Sequence, residues 1–240
     1  MPLGGLTVAL LSASVVLLAG STVGSARAAL TYYSENYGAQ VEVSKIGVSL
    51  EESNDKGKSY TKISKRNYIS NGKWDEATGD LLTGLKEEKI VPGKQYDEAL
   101  KVTNSGSIDS YVRVIIKKSW TDKEGVKDTT LSPDLIDLNL NLKEGSGWVI
   151  DKNASTKERT ILYYTGILPA GKSTPALSNT LTIDKSIATK VTQDVKEEDG
   201  YNFQLEAEAD AVQTHNAQDA IKSAWGVDVD VDGNGNISLR

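Results

Sequence analysis

The chain has no cysteine and a single histidine, His215, in 240 residues. Without cysteine there is no disulfide, no thiol nucleophile and no cysteine-held zinc. With one histidine, no two-histidine metal site can be built from this chain alone. The H-E-x-x-H pair, the G-x-S-x-G elbow and the phosphate-binding loop are also missing. A Ser–His catalytic pair would have to use His215, which stands beside a helix-start signal and reads as a surface or capping residue. Excess positive charge is lacking too: 27 basic side chains face 33 acidic ones, a net charge of −6. Arg27 is the only charge in residues 1–28, so residues 29–240 carry 26 basic and 33 acidic groups, or −7. Such a surface repels nucleic acid and anionic lipid. The basic pairs Lys65–Arg66 and Lys117–Lys118 sit among acids and read as solvated faces.

The one long apolar run, residues 3–19, is short for a membrane span. Small residues follow, and Ala26-Arg27-Ala28 fits an A-x-A cleavage site. The expectation is a signal peptide over 1–28, cut after Ala28. A retained membrane anchor is the alternative, and the basic segment that usually precedes such a run is missing. The product would be secreted to the cell surface or extracellular matrix.

What remains reads mostly as strands. In "YNFQLEAEADA" (201–211), Tyr201, Phe203, Leu205, Ala207, Ala209 and Ala211 share one face and polar residues the other, a period of two. The small alanines leave room for a bulky neighbour. Residues 96–120 read as a hairpin: Tyr96, Glu98, Leu100 and Val102 alternate with polar positions, Asn104-Ser105-Gly106-Ser107 turns with positive φ, and Val112, Val114 and Ile116 return. Pro92-Gly93 and Pro169-Ala170-Gly171 each precede a strand, the second over 176–184, as in related halves of a sandwich. Further strands are expected at 39–50, 146–151 and 159–165. Residues 51–91, with Trp74, read as an excursion with short strands, and 185–200 as a loop. A helix is expected over "NAQDAIKSAWG", with Asn216 as cap and Gly226 as stop, and a helical turn after Pro133. Together these give an all-β, jelly-roll-like antiparallel sandwich with one or two short helices, a single domain over 29–240.

Two features bear on chemistry. In "DVDGNGNIS", Asp230, Asp232, Asn234 and Asn236 stand at the spacing of an EF-hand calcium loop, but the chain ends before its position-12 Glu. The same residues fit a C-terminal hairpin over 227–240, with Val227, Val229 and Val231 leading in and Ile237 and Leu239 returning. No cofactor is expected, with calcium at this loop the alternative. The acidic pairs Glu51–Glu52 and Glu87–Glu88 and the run Glu197-Glu198-Asp199 are adjacent in sequence, so in strands they point to opposite faces and do not converge.

The small-residue signal end followed by "ALTYYSENY", then "VPGKQYDEALKVTNSGSIDSYVRV", "LPAGKSTPALSNTLTID" and "FQLEAEADAVQTHNAQDAIKSAWG", resembles the exported TasA/camelysin family of Gram-positive bacteria. The resemblance spans about residues 17–226 and rests on strand and turn patterns, not on a catalytic signature. It implies a jelly-roll sandwich, processing by a specialised signal peptidase, and assembly with copies of itself, and with other matrix proteins, into biofilm fibres. In such fibres an N-terminal segment completes the sheet of the next subunit. Here residues 29–38 would be the donor strand, with Leu30, Tyr32, Tyr33 and Tyr37 as anchors. Those residues forming the first strand of their own sandwich is the alternative, and membrane contact would arise only through an uncleaved signal. Camelysin is described as a metalloprotease, so a surface protease is a rival reading, although His215 and scattered carboxylates make a weak zinc site. A calcium-dependent adhesin using the C-terminal loop is another.

Overall fold

Strict alternation of apolar and polar residues passes directly into strands. The computed structural model describes residues 45–70, 72–85, 90–122, 124–187 and 202–240. Residues Ser44–Arg240 form one unit. The expected signal peptide, its cleavage point at Ala28 and the donor segment 29–38 lie outside the described residues, as does most of 185–200.

The fold is an antiparallel β-sandwich. The first sheet runs β3 (Lys73–Thr78), β2 (Thr61–Ser70), β1 (Gly47–Ser53) and β5 (Ala99–Asn104). A three-stranded sheet of β4 (Gln95–Asp97), β11 (Ser178–Ile183) and β8 (Ile136–Leu140) adjoins it, where Glu98 N–H donates to Asn179 O and Leu177 N–H to Leu100 O. The second sheet runs β12 (Asn202–Gln213), β6 (Ser110–Thr121), β10 (Arg159–Leu168) and β9 (Trp148–Ile150), with the short β7 (Lys127–Asp128) on β6. Val48, Leu50, Leu100 and Val102 from the first sheet meet Val112, Val114, Ile116 and Leu162 from the second in the main core. β12 fits its expectation: Leu205 and Ala209 are buried in that core, with Phe203, Ala207 and Ala211 packed against it.

The other face of the second sheet is covered as well. Tyr111, Ile161, Tyr163 and Val212 pack with Ile221 of α1 (Ala217–Trp225) and with Val229 and Ile237 of the hairpin β13 (Val229–Val231) and β14 (Ile237–Leu239). That explains why "TILYY" in β10 is apolar at successive positions: a strand covered on both faces has no polar side. α1 ends as expected, at Gly226 with φ 72° and its N–H on Lys222 O at 2.9 Å. Its start differs. Asn216 takes the left-handed conformation, φ 49°, and makes no side-chain cap; Asn tolerates that region, which lets the chain reverse from β12 into the helix. The turn after Pro133 is a 3-10 helix, Pro133–Leu135.

The hairpin expected over 96–120 does not form. β5 pairs with β1, and β6 pairs with β10 and β12, so the two strands lie in opposite sheets and 104–109 is an arch between them. The facing was right and the partner was not: Val112, Val114 and Ile116 point inward, but across the core from β5. Asn104, fully buried, holds the arch. Its Nδ2 donates to Ile108 O and Leu168 O, both at 2.9 Å, and its Oδ1 accepts from Gly106 N–H at 3.0 Å. Its own N–H donates to Lys172 O at 2.8 Å, and its carbonyl accepts from Gly171 N–H at 2.9 Å. Gly106 is required here by crowding, not by positive φ: a Cβ would lie 2.3 Å from Lys45 O. The segments after the two Pro/Gly turns also are not matching halves. Residues 171–179 run beside β5 in one sheet, with Thr174 N–H on Val102 O and Leu177 N–H on Leu100 O.

Asn104→Ala should remove the three side-chain bonds of the arch, leaving the buried Leu168 O without this donor and Ile108 O with only the Ser110 hydroxyl. A loss of about 3 kcal/mol is expected, seen in urea unfolding as a lowered midpoint with an unchanged slope.

Candidate functional site

The longest strand at a sheet margin is β12. It pairs with β6 over its full length, from Asn202↔Thr121 to Gln213↔Ser110. Among the described residues no strand pairs with its other side. Facing that side is the β2–β3 ribbon of the first sheet. Between them lies a groove of about 630 Å³, with Ile63, Leu81 and Leu82 on one wall and Phe203, Leu205 and Ala207 on the other. The excursion with short strands expected for 51–91 takes the form of this ribbon, with β2 longer than expected. Its alternation was weak because β3 is exposed along nearly its whole length, so no core face marks it. Trp74 is 40% exposed and packs edge-on against Tyr68, centroids 5.3 Å apart.

One end of the groove is bridged. Arg66 Nη1 lies 3.1 Å from Asp210 and 3.9 Å from Glu208 on β12, and its Nε lies 2.9 Å from Glu76. Asp210 also takes Arg113 Nη2 at 2.6 Å. Arg66 is therefore a tie between the sheets as well as a partly solvated side chain, 42% exposed. Lys118 is half-buried: its Nζ donates to Ile136 O at 2.7 Å, and burial pushes its pKa down. Away from Arg66, the edge from Phe203 to Ala207 is open to the groove.

The C-terminal residues form the expected hairpin, Val229 opposite Leu239 and Val231 opposite Ile237. Asp232 organises its turn: one carboxylate oxygen accepts from Asn234 and Asn236 N–H, both at 2.8 Å, and the other from Asn236 Nδ2 at 2.9 Å. Asp230 pairs with Arg240, Nε to Oδ1 2.9 Å. These bonds hold both carboxyl groups well below the usual carboxylate range. Of the four residues at calcium spacing, Asp232 and Asn236 are thus joined to each other, and Asp230 faces an arginine. His215 is exposed in the turn before α1. Among the described residues no group of three or more His, Asp or Glu stands together as a metal cluster.

Two residues that neighbour-pair reasoning passed over do converge. Glu51 and Glu52 point to opposite faces, as expected: Glu51 pairs with Lys101 at 3.2 Å on the outside, and Glu52 turns inward and is buried. In register Glu52 lies opposite Leu100, so Glu98 is its diagonal neighbour on the same inward face. Glu98 is fully buried, and its carboxyl group meets the Glu52 carboxylate as its one hydrogen-bond partner, a contact that needs a proton between them. Glu52 accepts from the N–H groups of Leu82 and Thr83 and from the Thr83 hydroxyl. Burial, with the Glu52 charge adding to it, pushes the Glu98 pKa up to about 9. The signal in the sequence was a carboxylate on the apolar face of an otherwise regular strand.

No family model matches the chain, and no curated protein or solved structure matches it.

Glu98 keeps a proton that an unfolded chain releases near 4.5. Its contribution is complete below that value and is lost as pH rises toward about 9, with a slope of about 1.4 kcal/mol per pH unit. Urea unfolding in EDTA buffer should therefore show the wild type losing ground to Glu98→Gln steadily through this window. A difference between the two that does not vary with pH would show that Glu98 is ionised in the folded state.

Proposed function

We propose that the chain is an exported structural protein of the cell surface or biofilm matrix, whose copies assemble into fibres by strand donation. The observation that carries this reading is the β12 edge, unpaired among the described residues, beside a groove of mixed lining. A strand added there has backbone N–H and C=O groups to pair with, and apolar patches at Ile63, Leu81, Phe203 and Ala207 for alternate side chains. The occupant is residues 29–38 of a neighbouring copy. At about 3.4 Å per residue this segment reaches about 34 Å, more than the open stretch of β12 requires. Leu30, Tyr32, Tyr33 and Tyr37 are large where the groove wall at Ala207 is small. The resemblance of the sequence to the TasA/camelysin family supports the same assignment. Donation from each copy to the next is head-to-tail, and a head-to-tail contact that does not close on itself builds a filament. A signal peptide ahead of Ala29 would hold the donor back until export. In this reading the partners are copies of the chain and other matrix proteins, and the chain is not an enzyme.

Negative-stain electron microscopy of the chain starting at Ala29, beside one starting at Gln40, tests this. The shorter chain keeps every described strand. Fibres from the first and none from the second are expected. Fibres from both would overturn strand donation while leaving the matrix role, and isolated particles from both would overturn fibre assembly.

A further inference from the structure

We propose that a second cleft, beyond the Arg66 bridge and between Trp74 of β3 and Trp225 of α1, is a subsite for one neutral sugar ring of a surface or matrix polysaccharide. Its geometry does not depend on fibre assembly; only the source of the sugar rests on the matrix reading.

The register explains why a tryptophan stands there. Arg66 lies opposite Val48 of the core, and Tyr68 opposite Trp74. Residues opposite each other, or two apart on a strand, share a face. Trp74 therefore points to the core side of the first sheet. It stays 40% exposed, because among the described residues the second sheet ends at β12 and puts no strand over it. The facing wall is Trp225, the last residue of α1, and Arg113 and Asp210 lie between the two. The space enclosed is about 270 Å³, below the range of about 300–1,000 Å³ typical of larger ligands and suited to a single ring. Both aromatic walls are held in place before a ligand arrives. Tyr68 meets Trp74 edge-on, and the Arg66 guanidinium lies 4.9 Å from the Trp74 ring centroid. Tyr163 and Arg113 hold Trp225 in the same way, at 5.5 and 5.3 Å. Walls already fixed lose little freedom on binding.

The charges in the cleft select the ligand. Asp210 bonds to both arginines, and Glu76 pairs with Arg66. Each guanidinium already faces a carboxylate, so the cleft has no strong pull on an anion or a cation. What it keeps is capacity for hydrogen bonds. Arg66 is 42% exposed and carries five N–H donors in a planar fork. Glu208 is 54% exposed, and its carboxylate stands 3.9 Å from Arg66, too far for a hydrogen bond between them. A donor fork beside a free acceptor, between aromatic walls, fits neighbouring hydroxyl groups, each of which both donates and accepts. The C–H face of a sugar ring supplies the apolar contact that the exposed part of Trp74 lacks. A phosphate or an ammonium group would meet a partner of its own sign as close as one of the opposite sign.

The test is titration of the full chain with tetrasaccharides of glucose, N-acetylglucosamine and mannose, up to about 10 mM, followed by tryptophan fluorescence and by calorimetry. The other two tryptophans, Trp120 and Trp148, are 3% exposed, so a fluorescence change reports the cleft. At least one tetrasaccharide should bind, with a Kd of about 1 mM. Raising salt from about 0.05 to about 0.5 M should leave that Kd within about twofold, because the ligand is uncharged. Trp74→Ala should weaken binding about tenfold or more while keeping the wild-type urea midpoint, since the side chain lies outside the core. Glu208→Gln should weaken it about threefold. No binding by any of the three sugars would overturn the proposal. Binding that survives Trp74→Ala would overturn it by placing the sugar elsewhere. Binding that collapses in salt, or tightens in Glu208→Gln, would overturn it in favour of an ionic ligand. The fibre reading stands or falls separately: isolated particles that bind sugar would overturn assembly and leave the subsite.

Discussion

Asn104 ties together segments that local sequence would never bring into one place. Its backbone belongs to β5 in the first sheet; its side chain reaches Ile108, just before β6, and Leu168, at the end of β10, both in the second. Through its N–H and carbonyl it also fixes the 171–172 turn from which β11 departs. A buried residue with three side-chain and two backbone hydrogen bonds is costly to move, because moving it strands several groups at once. The arch rather than a hairpin follows from this. So does the tight crossing over β1, where Ser105 and Gly106 N–H groups meet Gly47 O at 3.0 and 3.2 Å. Once β5 and β6 face each other across the core, every apolar residue on their inward faces is buried by the same event.

The two ends of the sandwich solve the problem of closure differently. At the Asn104 end, backbone and amide groups satisfy one another without charge. At the other end the inward columns finish in Glu52 and Glu98, and closure depends on the turn at 82–83 folding its N–H groups onto one carboxylate. The second carboxyl group then keeps its proton and bonds to the first, because an ionised and unbonded group at that depth is far too costly. This end therefore responds to solution conditions in a way that the amide-tied end does not.

How much of this was legible depends on the range of the interaction. The alternation of β12, the Gly226 stop, the Pro133 turn and the C-terminal hairpin rest on neighbours within a few residues, and sequence reading found each of them. The all-β sandwich follows from their sum. Most of the misreadings share a cause: they needed a partner far along the chain. The 96–120 stretch has the facing of a hairpin, and nothing local says that Asn104 will bond to Leu168. Lys118 looks solvated until Ile136 O is placed beside it. The β2–β3 ribbon lacks a core face, so its pattern is faint. Glu98 did stand out of pattern, but Glu52 became its neighbour only through the β1–β5 register.

The four outermost strands differ in what they offer a second chain. β8 and β9 are short, five and three residues. β3 carries Lys73, Asp75 and Glu76 and lies in water nearly throughout, the kind of charged margin that discourages pairing. β12 has 12 residues. Its far half is fixed on every available side: β6 along one edge, the main core beneath Ala209, the α1 layer above Val212, and Arg66 across the gap at Asp210. A strand held this way does not have to be ordered when a partner arrives. The conformational entropy lost on pairing then falls on the incoming segment alone, which is the condition under which backbone hydrogen bonds and a few buried tyrosines can outweigh it. In the proposed fibre, rigidity at the Asp210 end would leave the Phe203–Ala207 end, unpaired among the described residues, as a template rather than a frayed margin.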